Sequence, residues 1–62
     1  QAFIDCWSED VGDIDIKWFA EAVDIEDENT VHAGVIANSK KAAIRDCEEQ
    51  ARNKGVQIVQ EF

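Results

Sequence analysis

Residues 39–55, SKKAAIRDCEEQARNKG, decide the fold because they carry every signal of one amphipathic helix. Ser39 can cap this helix, since its hydroxyl can accept a hydrogen bond from a free backbone N–H of the first turn. Gly55 can take the left-handed conformation just beyond the last turn, which predicts that the helix ends there. Apolar residues recur between them at helical spacing: Ala43, Ile44, Cys47 and Ala51. This inward stripe is mostly alanine, so the helix can lie close to a sheet.

The segments around the helix predict strands. Residues 14–23, IDIKWFAEAV, alternate between two faces with a period of two, which is typical of a strand. Residues 2–7, 30–37 and 56–62 are short, rich in β-branched or aromatic side chains, and predict three more strands. The order is therefore β-β-β-α-β. We expect a single α+β domain over residues 1–62, with a mainly antiparallel sheet and one helix packed on one face.

Charge is distributed unevenly along the chain, whose formal net charge is −8. Residues 1–28 contain ten acids and one lysine, whereas residues 39–62 contain five bases and four acids. The acidic half repels nucleic acid and anionic lipid and attracts cationic surfaces. We expect the partner to be a larger protein with a basic surface, rather than nucleic acid or a membrane. No apolar run approaches the roughly 20 residues of a membrane-spanning helix.

One helix covers only one face of the sheet, so the other face is the candidate binding surface. Aromatic side chains bury large areas at low entropic cost, and acids select a basic partner. The alternation places the rings of Phe3, Trp7 and Phe19 outward if strand 1 turns Ile4 and Cys6 toward the helix; otherwise these rings face the helix or lie under loops. The predicted partner-binding residues are Phe3, Trp7, Asp15, Phe19, Glu21, Glu26 and Asp27. A homodimer through the same face is a further possibility.

Cys6 and Cys47 are the only cysteines, and both fall on the face predicted to lie between sheet and helix. We predict a disulfide between them if their Cα atoms come within about 7 Å of each other. The alternative is a pair of buried free thiols. A disulfide, together with a chain that begins at Gln1 instead of Met, favours a secreted protein over a cytoplasmic one.

The sequence lacks a pattern typical of catalysis or of metal binding. His32 is the only histidine, and its spacing from the two cysteines matches neither a Cys–His catalytic pair nor a zinc site. Glycine-rich phosphate loops and the GxSxG elbow are missing. We therefore predict no catalytic residue, no metal and no cofactor. The leading hypothesis is a small non-enzymatic binding protein, such as an inhibitor, an effector or an anti-defence factor.

A second hypothesis rests on the start of the helix. Residues 19–43 resemble the last part of a double-stranded-RNA-binding domain, in which strands lead into a helix that opens with SKKxA, here residues 39–43. Residues 34–36, Gly-Val-Ile, stand where that family has GxG before the serine. The resemblance implies that the lysines contact phosphates. A nucleic-acid-binding module of this kind would use Lys40, Lys41, Arg45 and Arg52.

Overall fold

The computed structural model describes residues 1–10, 12 and 16–59. These residues form three strands and one helix: β1 Ala2–Asp10, β2 Ile16–Asp24, β3 Val31–Ala37 and α1 Lys40–Asn53. The strands pair as one antiparallel sheet in the order β1-β2-β3, and α1 packs across one face of this sheet. The predicted α+β class is confirmed.

The segment after α1 returns to the β1 edge of the sheet. The backbone N–H of Ala2 donates to the carbonyl of Gln57, and that of Val59 donates to the carbonyl of Ala2, both at 2.9 Å. These bonds form a single parallel bridge between Ala2 and Ile58. The strand predicted over 56–62 is thus represented by one bridge in the described residues, and residues 60–62 lie outside them.

Both ends of α1 follow the signals in the sequence. The Ser39 hydroxyl accepts a hydrogen bond from the Ala42 N–H at 3.2 Å, which caps the first turn. Gly55 has a φ of 81°, in the left-handed region that favours glycine after a helix. The Lys54 amine donates to the His32 carbonyl at 2.8 Å, so the end of the helix is tied to the start of β3.

Alanine dominates the core between the sheet and the helix. Six of the eight residues in the buried cluster are alanines, and the other two are Ile4 and Cys47. Methyl groups let α1 approach the sheet closely, but each buries little apolar area. Larger, partly buried side chains pack around this centre: Trp18, Val35, Ile44, Val56 and Ile58.

The disulfide prediction is wrong, since Cys6 and Cys47 are both free. Cys47 is buried and its Sγ lies 3.8 Å from the carbonyl oxygen of Ala33 on β3. Cys6 lies on β1, and β2 separates these two strands. Because neighbouring strands are about 4.8 Å apart, Cys6 projects from a strand about 10 Å away from the one that Cys47 contacts. Without a disulfide, the argument for secretion loses one of its two supports, and secretion stays a prediction.

Candidate functional site on the open sheet face

The face of the sheet opposite α1 carries the aromatic residues singled out in the sequence. Ile4 and Ala20 belong to the buried cluster beneath the helix. Successive side chains of a strand point to opposite faces, so Phe3, Trp7 and Phe19 project away from the helix. No helix or strand in the described part of the chain covers this face. We call it the open face.

The strand register arranges the open face in rows that run across the sheet. Two apolar rows enclose a row that contains two carboxylates, and a polar row follows at one end. In order these are the first apolar row Phe3, Val23 and Val31; the carboxylate row Asp5, Glu21 and Gly34; the aromatic row Trp7, Phe19 and Ile36; and the polar row Glu9 and Lys17. Charged groups are therefore held next to apolar ones on both sides.

The aromatic row contains a stacked ring pair. The centroids of the Trp7 and Phe19 rings are 5.6 Å apart and the ring planes differ by 9°. Both side chains are half-buried, whereas Ile36 at the end of the row is 66% exposed. Stacking restricts both rings before any partner arrives, so binding costs less side-chain entropy. The row provides a preformed apolar contact surface.

The carboxylate row places two like charges directly opposite each other. Asp5 of β1 pairs in register with Glu21 of β2. Side chains in such positions have Cβ atoms about 5 Å apart, and like charges there destabilise the sheet. Neither carboxylate takes part in a salt bridge among the described residues. A cation bound between them removes a repulsion and adds an attraction.

A shallow pocket of about 380 Å³ lies next to Glu21, where the third position of the carboxylate row is Gly34. A Cβ added at Gly34 would meet only the Ala20 carbonyl oxygen, at 4.0 Å. The pocket therefore exists because Gly34 has no side chain. Sequence reasoning missed this residue, although a glycine inside a predicted strand is a signal of close approach by another group. The lining residues are Trp7, Phe19, Ala20, Glu21, Gly34, Val35 and Ile36.

The remaining predicted acids do not join this site. Glu26 and Asp27 are exposed in the turn between β2 and β3. Asp27 accepts a hydrogen bond from the Thr30 hydroxyl at 2.8 Å, so its carboxylate stabilises the turn. This turn begins at Ile25, six residues beyond Phe19, which corresponds to about 20 Å along a strand. Asp15 lies outside the described residues.

One contact in the turn was not predicted from the sequence. Asp24 lies 3.0 Å from Nε2 of His32, and its other oxygen accepts from the N–H groups of Glu26 and Asp27, both at 3.0 Å. The His32 hydrogen bond and then the backbone donors lower the pKa of Asp24, against a smaller opposing effect of burial. The arrangement fixes the turn to β3. His32 thus has a structural contact, half-buried at the edge of the sheet.

The exposed side of α1 is the second candidate surface. Arg45 and Arg52 pair with acids of the same helix at 3.4 and 3.5 Å, whereas Lys40 and Lys41 have no ion-pair partner in the part of the chain that the structure describes. A depression of about 490 Å³ is larger than the pocket at Gly34, but side chains of a single helix form all its walls. Its lining residues are Lys40, Lys41, Ile44, Arg45 and Glu48.

No family model matches this sequence, and no curated protein or solved structure is significantly similar to it. Within residues 1–10, 12 and 16–59, no helix combines the length and apolar character needed to cross a bilayer. The same residues contain no group of three or more side chains that could together hold a metal ion.

Proposed function

We propose that this protein is a small acidic binding module that docks through its open face onto a basic surface of a larger protein. One observation carries the proposal. On a face that α1 leaves uncovered, two carboxylates without a salt-bridge partner in the described residues lie between two apolar rows. Apolar rows supply contact area, and the carboxylates give this face a charge complementary to a basic surface, which speeds association and selects the partner.

The two kinds of residue have different tasks in this proposal. Trp7 and Phe19 are the anchors, because stacked aromatic rings supply large contact area and lose little freedom on binding. The acids set the approach of the partner. Residues 1–28 hold ten of the fourteen acids, and a field of one sign raises association rates with a basic surface.

The test is affinity capture from the native source with matched baits. We expect the wild-type bait to retain a protein with a basic surface, and Trp7→Ala to lose it. Ile16→Ala is the control, because Ile16 is 58% exposed and lies on the same side of β2 as Trp18 and Ala20, opposite to the open face. This control removes an exposed apolar side chain but leaves the docking surface unchanged.

Salt and charge provide the second arm of this test. The retained protein should dissociate as NaCl is raised to about 0.5 M, where the Debye length falls to a few ångströms. Glu21→Gln should weaken retention, whereas Glu49→Gln makes the same charge change on the exposed side of α1 and should not. A partner held equally by Trp7→Ala and insensitive to salt contradicts the proposal.

A homodimer through the open face is an outcome that the same samples can exclude. Two copies, each with a net charge of −8, would place one carboxylate row against another. Such a contact is repulsive unless cations intervene. We expect light scattering to give the mass of a monomer at low salt. A dimer that Trp7→Ala dissociates would replace the docking proposal.

A nucleic-acid-binding module remains the second candidate, because α1 begins with two exposed lysines and has no acid in its first turn. The resemblance to double-stranded-RNA-binding domains implies phosphate contacts at these positions. A gel-shift with duplex RNA at low salt separates the candidates. A shift that the double variant Lys40→Ala, Lys41→Ala abolishes supports RNA binding, and no shift removes this candidate.

A further inference from the structure

We propose that the pocket at Gly34 holds an arginine side chain of the partner, with its guanidinium against Glu21 and Asp5. The inference rests on the proposed docking function and specifies which group of the basic partner the open face recognises. The pocket is small enough to be tested with a single amino-acid derivative, so the experiment does not require the identity of the partner.

The walls of the pocket match the two parts of an arginine side chain. Phe19 and Ile36 form an apolar wall, and Gly34 leaves the sheet backbone as the floor. Glu21 lies at the side of the pocket that faces Asp5. A long basic side chain places its methylene groups on apolar surface while its charged end reaches a carboxylate. The apolar wall and the acids are neighbouring rows here, so one extended side chain spans both.

Two features favour arginine over lysine. Asp5 and Glu21 are directly opposite each other, and a planar guanidinium with five N–H donors can bond to two carboxylates at once. The Trp7–Phe19 stack contributes to the pocket wall, and guanidinium groups stack on aromatic rings. The ammonium group of lysine is more strongly hydrated than a guanidinium and acts as a point charge. Its desolvation in this partly apolar pocket therefore costs more free energy.

The cation must come from outside the described part of this chain. Lys17 is the one base on the open face among those residues, and its amine donates to the side-chain oxygen of Asn38 at 2.6 Å. Lys17 and Glu21 are four residues apart on β2, which is about 13 Å, and Phe19 lies between them. The carboxylate row therefore has no base of its own within reach.

The first experiment is an NMR titration of the nitrogen-15-labelled protein with N-acetyl-arginine amide. We expect saturable shifts at the amides of Glu21 and Gly34 and at the indole N–H of Trp7, with a dissociation constant in the millimolar range, as suits a fragment with few atoms. N-acetyl-citrulline amide has nearly the same shape without the charge and should give no saturable shift. N-acetyl-lysine amide should bind several-fold more weakly than the arginine compound.

Gly34→Val adds a branched side chain at the floor of the pocket; its Cβ would meet no atom closer than the Ala20 carbonyl oxygen at 4.0 Å, and valine favours strands. This variant should fold at least as well as wild type and lose the arginine-dependent shifts. Glu21→Gln should weaken binding about tenfold, the loss expected for one charged hydrogen bond. Glu49→Gln on α1 is the charge-matched control and should bind like wild type.

The outcomes separate this inference from the proposed function. Equal shifts with the citrulline compound, unchanged binding by folded Gly34→Val, or lysine binding as tight as arginine overturn the arginine site. In the capture assay, a partner lost by Trp7→Ala but kept by Gly34→Val also overturns the arginine site and leaves the docking proposal standing. A partner lost by both variants supports both proposals, and one kept by both overturns both.

Discussion

The two faces of this small sheet differ in the size and charge of the side chains at their centres. The covered face contributes Ala2, Ala20, Ala22 and Ala33 to the core, with Ile4 as the one large side chain that is fully buried. The open face carries Phe3, Trp7, Phe19 and Ile36 together with acids. Folding normally places the largest apolar side chains inside, since buried area is the main stabilising term. Three aromatic rings, Phe3, Trp7 and Phe19, lie instead on the face that the helix leaves uncovered, whereas Trp18 packs against the core cluster. This uneven distribution is the basis of the docking proposal.

The alanine face explains how a single helix can suffice. Small side chains bring α1 close to all three strands, so that its stripe of Ala43, Cys47 and Ala51 is completely buried. The same choice limits the buried area, and a domain of this length is expected to have only a few kcal/mol of stability. The contrast between the faces therefore predicts where substitutions harm the fold and where they harm only binding.

The largest effect is expected from Ile4→Ala. Removing a fully buried isoleucine typically costs about 2–5 kcal/mol, which is comparable with the whole stability of the domain. Ile36→Ala on the open face should change the free energy of unfolding by less than about 0.5 kcal/mol. Urea unfolding followed by tryptophan fluorescence measures both. Similar costs at the two positions would remove the distinction between core and binding face.

Overpacking the alanine layer should come next. Ala43→Leu adds three carbons at a position that is 0% exposed, and we expect a cost of about 1–3 kcal/mol as α1 is pushed from the sheet. Gln50→Leu introduces the same side chain on the exposed side of this helix and is the control. Thermal unfolding by circular dichroism compares the two. If Ala43→Leu is stabilising, the helix does not lie as close to the sheet as described.

Trp7→Ala tests the open face by stability rather than by binding. Although it removes more atoms than Ile4→Ala, the Trp7 ring is only half-buried and stacks on Phe19. We expect a cost of about 1 kcal/mol, within the range for an aromatic pair. Urea unfolding, read by far-ultraviolet circular dichroism, gives the value. A loss larger than that of Ile4→Ala would mean that the open face is a second core.

The smallest effect concerns the turn that leads from β2 to the β3 edge. The folded-state pKa of Asp24 lies below its ordinary value of 3.8, chiefly through the His32 hydrogen bond. Its contribution to stability is present above the unfolded-state pKa and is lost as pH falls from there through the folded-state pKa. The stability difference between wild type and Asp24→Asn should shrink as the pH falls below about 4. Urea titrations at several pH values measure it, and a difference independent of pH contradicts the role of this contact.

Much of the architecture followed from local patterns. Ser39 and Gly55 marked the ends of α1, and the alternation in residues 14–23 put Phe19 and Glu21 on the side of β2 opposite to Trp18 and Ala20. These predictions succeeded because each depends on residues that are close in the chain. The disulfide failed for the opposite reason. Cys6 and Cys47 share an interface, but only the position of α1 over β3 decides which strand each one meets.

The candidate site shows the same division. The sequence named Phe3, Trp7, Phe19 and Glu21 for the open face, but it also included Glu26 and Asp27, which the structure places in the turn at the end of β2. The number of acids in a segment does not show how far their carboxylates lie from the aromatic rings. The contact of Asp24 with His32 was not predicted, because it depends on the irregular register between β2 and β3.

By itself, the sequence determined the class of the fold, the ends of the helix and the two-sided character of the sheet, because side-chain period and capping chemistry are properties of neighbouring residues. Only the tertiary structure decided that Asp5 faces Glu21, that Trp7 stacks on Phe19, and that Gly34 leaves a pocket at the end of their rows. Register across strands sets these contacts, and register depends on pairing between segments that are distant in the chain.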